Sequence, residues 1–158
     1  MVFNNFQLTS QWYVKGSVED VYHVLSKPED FVAWWPEVYL CVTPLAPGDA
    51  NGVGKVVRLH TKGKLPYTLA WQARVLEVQK PYRIVIEAQG DLHGRGEWRF
   101  RQDGACVSID YDWTIIVTKR WMKCLMPVLK PVFSANHHWA MQQGKTGLQR
   151  QLANHCRG

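Results

Sequence analysis

Hydrophobic and polar residues alternate through residues 38–118, and turn-forming residues separate the alternating runs. Alternation with a period of two is typical of strands in an antiparallel sheet that buries one face. Together with an opening strand over residues 3–15, the pattern predicts about seven strands. The turns are expected at Pro47-Gly48-Asp49, Asn51-Gly52, Lys62-Gly63-Lys64, Lys80-Pro81 and Asp103-Gly104.

The last predicted hairpin separates apolar from charged residues most clearly. With a two-residue turn at Asp103-Gly104, Trp98 faces Ile109 on the inner side of the sheet. The residues between these inner positions are charged and face solvent. Because a slip of one residue would bury those charges, the pattern fixes which face of each strand points inward.

Two short helices and one long helix complete the predicted fold. Ser17 is a suitable N-cap for a helix that begins at Val18, and Pro28 ends that helix. A second helix is expected over Glu29–Trp34. The last helical pattern runs over Pro131–Asn154, and 24 residues would extend about 36 Å, enough to cross the sheet. The sequence therefore predicts an α+β fold, in which a curved antiparallel sheet wraps a long C-terminal helix.

Small residues on both surfaces predict an internal cavity. Gly94 and Gly96 lie on the inner face of the sheet, beside large aromatic rings. Ala140, Gly144 and Gly147 leave the inner stripe of the long helix without large side chains at mid-length. Space on the helix opposite space on the sheet predicts an apolar pocket, and closer packing of the helix on the sheet is the alternative.

Four segments carry a resemblance to a known superfamily. They are Val14–Tyr22 (VKGSVEDVY), Phe31–Pro36 (FVAWWP), Gly90–Gly94 (GDLHG) and the closing segment Asn136–Leu152. With its order of elements, the chain resembles the SRPBCC or START-like helix-grip superfamily, in particular its polyketide cyclase/dehydrase and lipid-transport branch. The resemblance implies one START-like ligand-binding domain over residues 1–158. Because the superfamily contains both binders and enzymes, the resemblance assigns no catalytic residue.

Length and composition favour one globular domain without metal or disulfide support. The chain has 158 residues, of which 46% are hydrophobic and 20% charged. Its four scattered cysteines favour reduced thiols in a cytoplasmic protein. Neither a signal peptide nor an apolar stretch of about 18 residues is apparent. The eight tryptophans suit a concave binding site, or alternatively an aromatic-rich core without one.

The positive net charge is confined to the end of the chain. All 13 Asp and Glu precede Trp113, whereas seven Lys and Arg follow it. This asymmetry suggests an anionic partner, or alternatively a solvated helix face. One segment interleaves cations with an aromatic ring and predicts peripheral membrane contact, unless it is only a helix start packed on the sheet edge. Its residues are Lys119, Arg120, Trp121 and Lys123.

The pocket is expected to be lined by the inward rings of the sheet and the inner stripe of the long helix. The predicted function is binding or transport of a small hydrophobic ligand, such as a lipid, an isoprenoid or a polyketide-like compound. The predicted ligand-binding residues are Trp71, Trp98, Tyr111, Trp113, Phe133, Asn136, His137 and Ala140.

His137 is the candidate for catalysis. An imidazole on the inner stripe could transfer protons as a general acid or base, since its ordinary pKa lies near 6.5. The alternative function is therefore a polyketide cyclase/dehydrase-type enzyme. A core histidine that is hydrogen-bonded within the fold is the structural interpretation of the same residue.

The other polar candidates favour structural roles. Arg58 and His60 share one strand face and are expected to point outward, although an inward pair could hold an acidic group. Asp110 and Asp112 are expected on the outer face beside arginines, not as an acid–base pair. No motif for a metal, nucleotide or cofactor occurs, so none is expected. The inward periodicity of the aromatic residues argues against nucleic-acid binding.

Overall fold

The structure is a computed structural model that describes residues 5–63, 68–117 and 126–157. Its elements follow the order expected from the sequence, with a single 3-10 turn over Pro28–Asp30. The strands are β1 (Asn5–Lys15), β2 (Tyr39–Ala46), β3 (Val56–Lys62), β4 (Thr68–Gln79), β5 (Arg83–Gly90), β6 (Leu92–Asp103) and β7 (Cys106–Val117). The helices are α1 (Val18–Leu25), α2 (Phe31–Trp34) and α3 (Met126–Arg157).

The seven strands form one antiparallel sheet in the order β1-β7-β6-β5-β4-β3-β2. Strands β2 to β7 are joined as successive hairpins, while β1 pairs with β7. The two short helices connect β1 to β2 and therefore link the two edges of the sheet. Helix α3 packs against β1, α1 and α2. The predicted α+β helix-grip architecture is confirmed.

The hairpin between β6 and β7 has the predicted faces but a different register. Asp103 pairs with Cys106, so the turn residues are Gly104 and Ala105 instead of Asp103-Gly104. Gly104 adopts a φ of +60°, which suits the first central residue of a type II′ turn. The register moves by two residues, so Trp98 faces Tyr111. An even shift keeps every side chain on its face, and the division into inner and outer residues stands.

The outer face of the sheet carries a network of ion pairs. Arg99 contacts Glu97 at 2.9 Å and Asp112 at 2.7 Å, and Arg83 contacts Glu97 at 3.3 Å. Hydrogen bonds from Arg83, and then from Arg99, lower the pKa of Glu97. Asp112 is thus an outer-face residue, as predicted. On β3 the neighbouring Arg58 and His60 are likewise exposed, whereas Val57 and Leu59 are buried.

The glycines of the sheet do not leave empty space, and this part of the prediction is wrong. A Cβ placed on Gly96 would lie 2.8 Å from the Trp113 ring and 2.9 Å from the Tyr111 hydroxyl. A Cβ on Gly94 would lie 2.0 Å from the backbone oxygen of Thr114. The missing side chains therefore admit two aromatic rings and a neighbouring strand.

The glycines of α3 are filled in the same way. A Cβ on Gly144 would lie 2.4 Å from the Trp35 ring, and one on Gly147 would lie 1.9 Å from the backbone oxygen of Trp34. Helix α2 occupies the space that the sequence suggested would belong to a ligand. Helix α3 begins at Met126, before the predicted start at Pro131. Pro131 therefore lies inside the helix instead of opening it.

Candidate functional site

A cavity lies between the inner face of the sheet and the first half of α3, with a volume of about 210 Å³. Its lining is largely apolar, and about half of the lining residues come from β3 to β7. Helix α3 contributes Asn136, His137, Ala140 and Met141. The aromatic lining residues are Tyr22, Phe31, Trp35, Tyr39, Trp71, Trp98, Tyr111 and Trp113.

The structure brings together seven of the eight residues predicted to bind a ligand. Phe133 is the exception, because its side chain lies outside the described part of the structure. The seven that line the cavity are Trp71, Trp98, Tyr111, Trp113, Asn136, His137 and Ala140. Their lining position follows from period-two alternation on the strands and from the inner stripe of the helix.

Rings from β6 and β7 form a nearly parallel set along one side of the cavity. Trp98 and Tyr111 stack with centroids 4.0 Å apart and planes 22° apart. Tyr111 and Trp113 are 5.8 Å apart, again at 22°. The three rings, which we call the aromatic wall, occupy successive inward positions across the hairpin. Aromatic rings prefer such offset stacking with one another, and a flat, unsaturated molecule can stack in the same way.

Trp35 is a lining residue that the prediction missed. Its indole nitrogen donates a hydrogen bond to the backbone oxygen of Ala140 at 2.9 Å, and its ring lies over Gly144. The ring thereby fixes the distance between α2 and α3 at one end of the cavity. The Phe31–Pro36 motif could have revealed this contact, because two adjacent tryptophans and two glycines on a helix together suggest close packing.

His137 lies half-buried at the cavity, with Nε2 3.3 Å from the Ser10 hydroxyl. Burial, followed by the neighbouring His138, lowers the pKa of His137 to about 4. The imidazole is therefore neutral at physiological pH. The hydrogen bond with Ser10 fits the interpretation of His137 as a core histidine that is bonded within the fold. The ring nevertheless lies at the cavity surface.

Three solved structures resemble this fold over nearly the whole chain. An aromatase/cyclase from a Streptomyces species has a TM-score of 0.76 at 16% identity, covering 98% of this chain and 97% of that chain. A START superfamily protein from Mycobacterium smegmatis has a TM-score of 0.75 at 15% identity, covering 94% and 97%. Norcoclaurine synthase from Thalictrum flavum has a TM-score of 0.63 at 14% identity, covering 96% and 88%.

This chain has the SRPBCC/START-like helix-grip fold. In a two-domain aromatase/cyclase of the same fold, the chain spans 50% of the other protein's length. No protein-family model and no curated protein sequence matches the chain. At these identities the structural likeness concerns the fold, and the activity has to be argued from the site.

The loop between β2 and β3 also borders the helix-grip cavity. Asn51, Gly52 and Lys55 from this loop line the cavity, and Lys55 forms an ion pair with Glu29 beside α2. The Asp49 carboxylate accepts hydrogen bonds from the backbone of Asn51 at 2.8 Å and of Val53 at 3.0 Å. The loop is thus stabilised by its own hydrogen bonds and by an ion pair to the segment before α2. The sequence predicted its turns but not its contact with the cavity.

Two further predictions concern parts of the chain outside the cavity. The basic segment with Lys119, Arg120, Trp121 and Lys123 lies outside the described residues. No helix within the described residues has the length and hydropathy needed to cross a membrane. In the same residues, no group of three or more His, Cys, Asp or Glu is arranged to hold a metal ion.

Proposed function

We propose that residues 1–158 act as one domain that binds a small, largely apolar molecule in the helix-grip cavity. The observation that carries this proposal is the cavity itself, about 210 Å³ in volume and walled by aromatic rings. An apolar cavity of this order can hold a ligand the size of an aromatic ring system. Binding would release the ligand's hydration water, which is the main favourable contribution for apolar molecules.

The expected affinity follows from the area that such a ligand would bury. Burial of about 300 Å² of apolar surface at 25 cal/mol/Å² contributes about 7 kcal/mol. Association costs reduce this value, so we expect dissociation constants between about 100 μM and a few millimolar. The aromatic wall favours flat, unsaturated molecules over saturated chains of equal size. The norcoclaurine synthase structure, which contains dopamine and hydroxybenzaldehyde, is consistent with small aromatic molecules in this fold.

Native mass spectrometry of the purified protein, followed by titration with 1-anilinonaphthalene-8-sulfonate, tests the proposal. We expect the dye to bind with a dissociation constant in this range and to be displaced by flat apolar compounds. The variant Ala140→Leu should weaken dye binding at least tenfold, because the larger side chain would enter the cavity. Ala135→Leu, the same change at an exposed position of α3, is the matched control. Equal affinity for both variants would contradict binding in this cavity.

A second function, a polyketide cyclase/dehydrase-type enzyme, is favoured by one observation. His137 lies at the cavity as a neutral imidazole, since its pKa is lowered to about 4 by burial and by His138. A neutral imidazole can accept a proton from a carbon next to a carbonyl group, and the lowered pKa makes this one a weaker base than a free histidine. Turnover of a poly-β-ketone substrate that disappears in His137→Gln, while binding persists, would support this function. Unchanged turnover in that variant would exclude His137 from catalysis.

Peripheral membrane contact and a cytoplasmic location remain predictions from the sequence. The membrane prediction depends on the basic segment with Trp121, and the location on the scattered cysteines. Sedimentation with anionic lipid vesicles, compared with neutral vesicles, measures the first directly.

A further inference from the structure

The cavity comes close to the protein surface at both ends of β3. Asn51, before the strand, and Lys62, its last residue, line the cavity and are also exposed to solvent. An exposed lining residue marks a place where the wall of the cavity is thin. A strand of seven residues is about 23 Å long, so the two places are well separated.

The end beside Lys62 is held by contacts between uncharged groups. The Asn136 side chain lies against Gly63, where a Cβ would be 2.1 Å from the Asn136 Oδ1. Next to it, Trp71 Nε1 donates a hydrogen bond to the Thr61 hydroxyl at 3.1 Å. Because Asn136 belongs to the long helix α3, widening this end would require a displacement of that helix from the sheet.

The end beside Asn51 lies between two short connecting segments. One is the end of α1 with the 3-10 turn that follows it, and the other is the loop between β2 and β3. Connections of this kind move at a lower free-energy cost than strands or long helices do. The lining residues are Leu25, Ser26 and Pro28 from the first segment and Asn51, Gly52 and Lys55 from the second.

An ion pair joins these two segments across the edge of the cavity. Lys55 Nζ lies 2.5 Å from Glu29 Oε1, and the two side chains are 20% and 31% exposed. Lys55 continues the inward alternation of Val57 and Leu59, so its side chain leaves the backbone on the cavity side. Glu29 directly follows Pro28, which lines the cavity from the opposite segment. We call Lys55 and Glu29 the latch pair.

The loop that carries Lys55 is built to move as a unit. Within it, the Asp49 amide donates to the Val53 oxygen at 2.9 Å, and the Gly52 amide donates to the Asp49 oxygen at 3.0 Å. Gly48 and Gly54, on either side of this bonded turn, adopt φ values of +74° and +87°. Glycine has more backbone freedom than other residues, so a compact loop between two glycines can turn about its ends.

We propose that ligands enter and leave the cavity between the 3-10 turn and the β2–β3 loop, and that the latch pair holds this path closed. The proposal rests on the proposed function and adds the route of the ligand. A ligand passes only while the latch pair is open, whereas the pair is closed both in the free and in the occupied protein. Breaking the pair therefore speeds association and dissociation by the same factor and leaves the affinity unchanged.

The exchange rates of coumarin, a flat and neutral probe, test the latch pair. Line shapes in NMR titrations of the whole chain give the association rate, the dissociation rate and the dissociation constant together. We expect Glu29→Gln to raise both rates about threefold, as the loss of one partly exposed ion pair allows, with less than a twofold change in affinity. Raising the salt concentration from about 0.05 M to about 0.5 M should speed exchange in the wild-type protein but not in Glu29→Gln.

Two further variants separate the latch pair from a general effect of charge. In Glu29→Lys two cations repel each other, so both rates should exceed those of Glu29→Gln. Exchanging the two charges, in Glu29→Lys with Lys55→Glu, should return both rates toward the wild-type values. Glu77→Gln breaks the Arg83–Glu77 ion pair on the outer face, also 2.5 Å long, and should leave both rates unchanged.

The outcomes distinguish a failed latch pair from a failed binding site. If coumarin binds but exchanges at the same rates in the wild-type protein and in Glu29→Gln, the latch pair is refuted while cavity binding stands. A weaker affinity with an unchanged association rate also refutes it, because the pair would then shape the bound state and not the path. If coumarin does not bind to the wild-type protein, the proposed function fails and the latch pair with it.

Discussion

The two halves of helix α3 differ in what they face, although they belong to one continuous helix. In the first half, Asn136, His137 and Ala140 line the cavity. In the second half, Leu148 and Leu152 are almost completely buried, with exposed fractions of 0% and 1%. The first half therefore lines the cavity, whereas the second half packs into the core.

The difference arises from what the short helix α2 places against each half. Trp34 and Trp35 pack onto Gly147 and Gly144 and so fill the space that these two glycines leave. Trp35 also contacts the first half, where its indole nitrogen donates to the backbone oxygen of Ala140, but Ala140 still lines the cavity. Stability and binding thus depend on different residues of the same element, and substitutions should separate them.

The largest effect is expected from Gly147→Ala. The added methyl group would lie 1.9 Å from the backbone oxygen of Trp34, which cannot rotate away as a side chain could. We expect the free energy of unfolding to fall by about 2–3 kcal/mol, measured by urea denaturation. Affinity of the folded protein for an apolar dye should remain within twofold.

Gln142→Ala, on the exposed face of the same helix, is the control for Gly147→Ala. It should change stability by only a few tenths of a kcal/mol, as surface helix substitutions generally do. A Gly147→Ala variant that is more stable than wild type by about 1 kcal/mol would show an open helix position, where alanine is favoured over glycine. That result would contradict close packing of the second half of α3 against α2.

An intermediate effect is expected from the pH dependence of the first half. The pKa of His137 is lowered from 6.5 to about 4, so between these values the unfolded chain binds a proton that the folded protein does not. Stability should be complete above pH 6.5 and should be lost as the pH falls toward 4 and below. We expect the fall in unfolding free energy on acidification to be about 1–3 kcal/mol smaller in His137→Gln than in the wild-type protein. Gln142→Ala, at an exposed position of the same helix, should leave the profile of unfolding free energy against pH unchanged.

The smallest effect is expected from Gln149→Ala in the second half. The Gln149 side chain accepts a hydrogen bond from the backbone of Lys15 at 2.9 Å and donates one back at 3.3 Å, joining α3 to the edge strand β1. Because both bonds are exposed, we expect a loss of about 1 kcal/mol, with no change in ligand affinity. A loss of affinity of tenfold or more would show that the two halves are coupled.

The sequence predicted much of the fold because alternation and turn residues are local signals. Trp98, Tyr111 and Trp113 were assigned to the inner face correctly even though the hairpin register moved by two residues. The candidate site was likewise assembled from local patterns, since Ala140 and His137 fall on the inner stripe of a recognisable helix. Tyr39 was missed because it follows α2 closely at the start of the edge strand β2, where a period-two pattern is weak.

The amino-acid sequence by itself determined the order of elements and which side of each element is apolar, because both depend on neighbours along the chain. Only the tertiary structure decided where space remains. Glycine removes a side chain without saying what will take its place, and at Gly96 and Gly144 aromatic rings from distant segments took it. The cavity instead lies between the sheet and the part of the helix around Ala140, whose small side chain is among its lining residues.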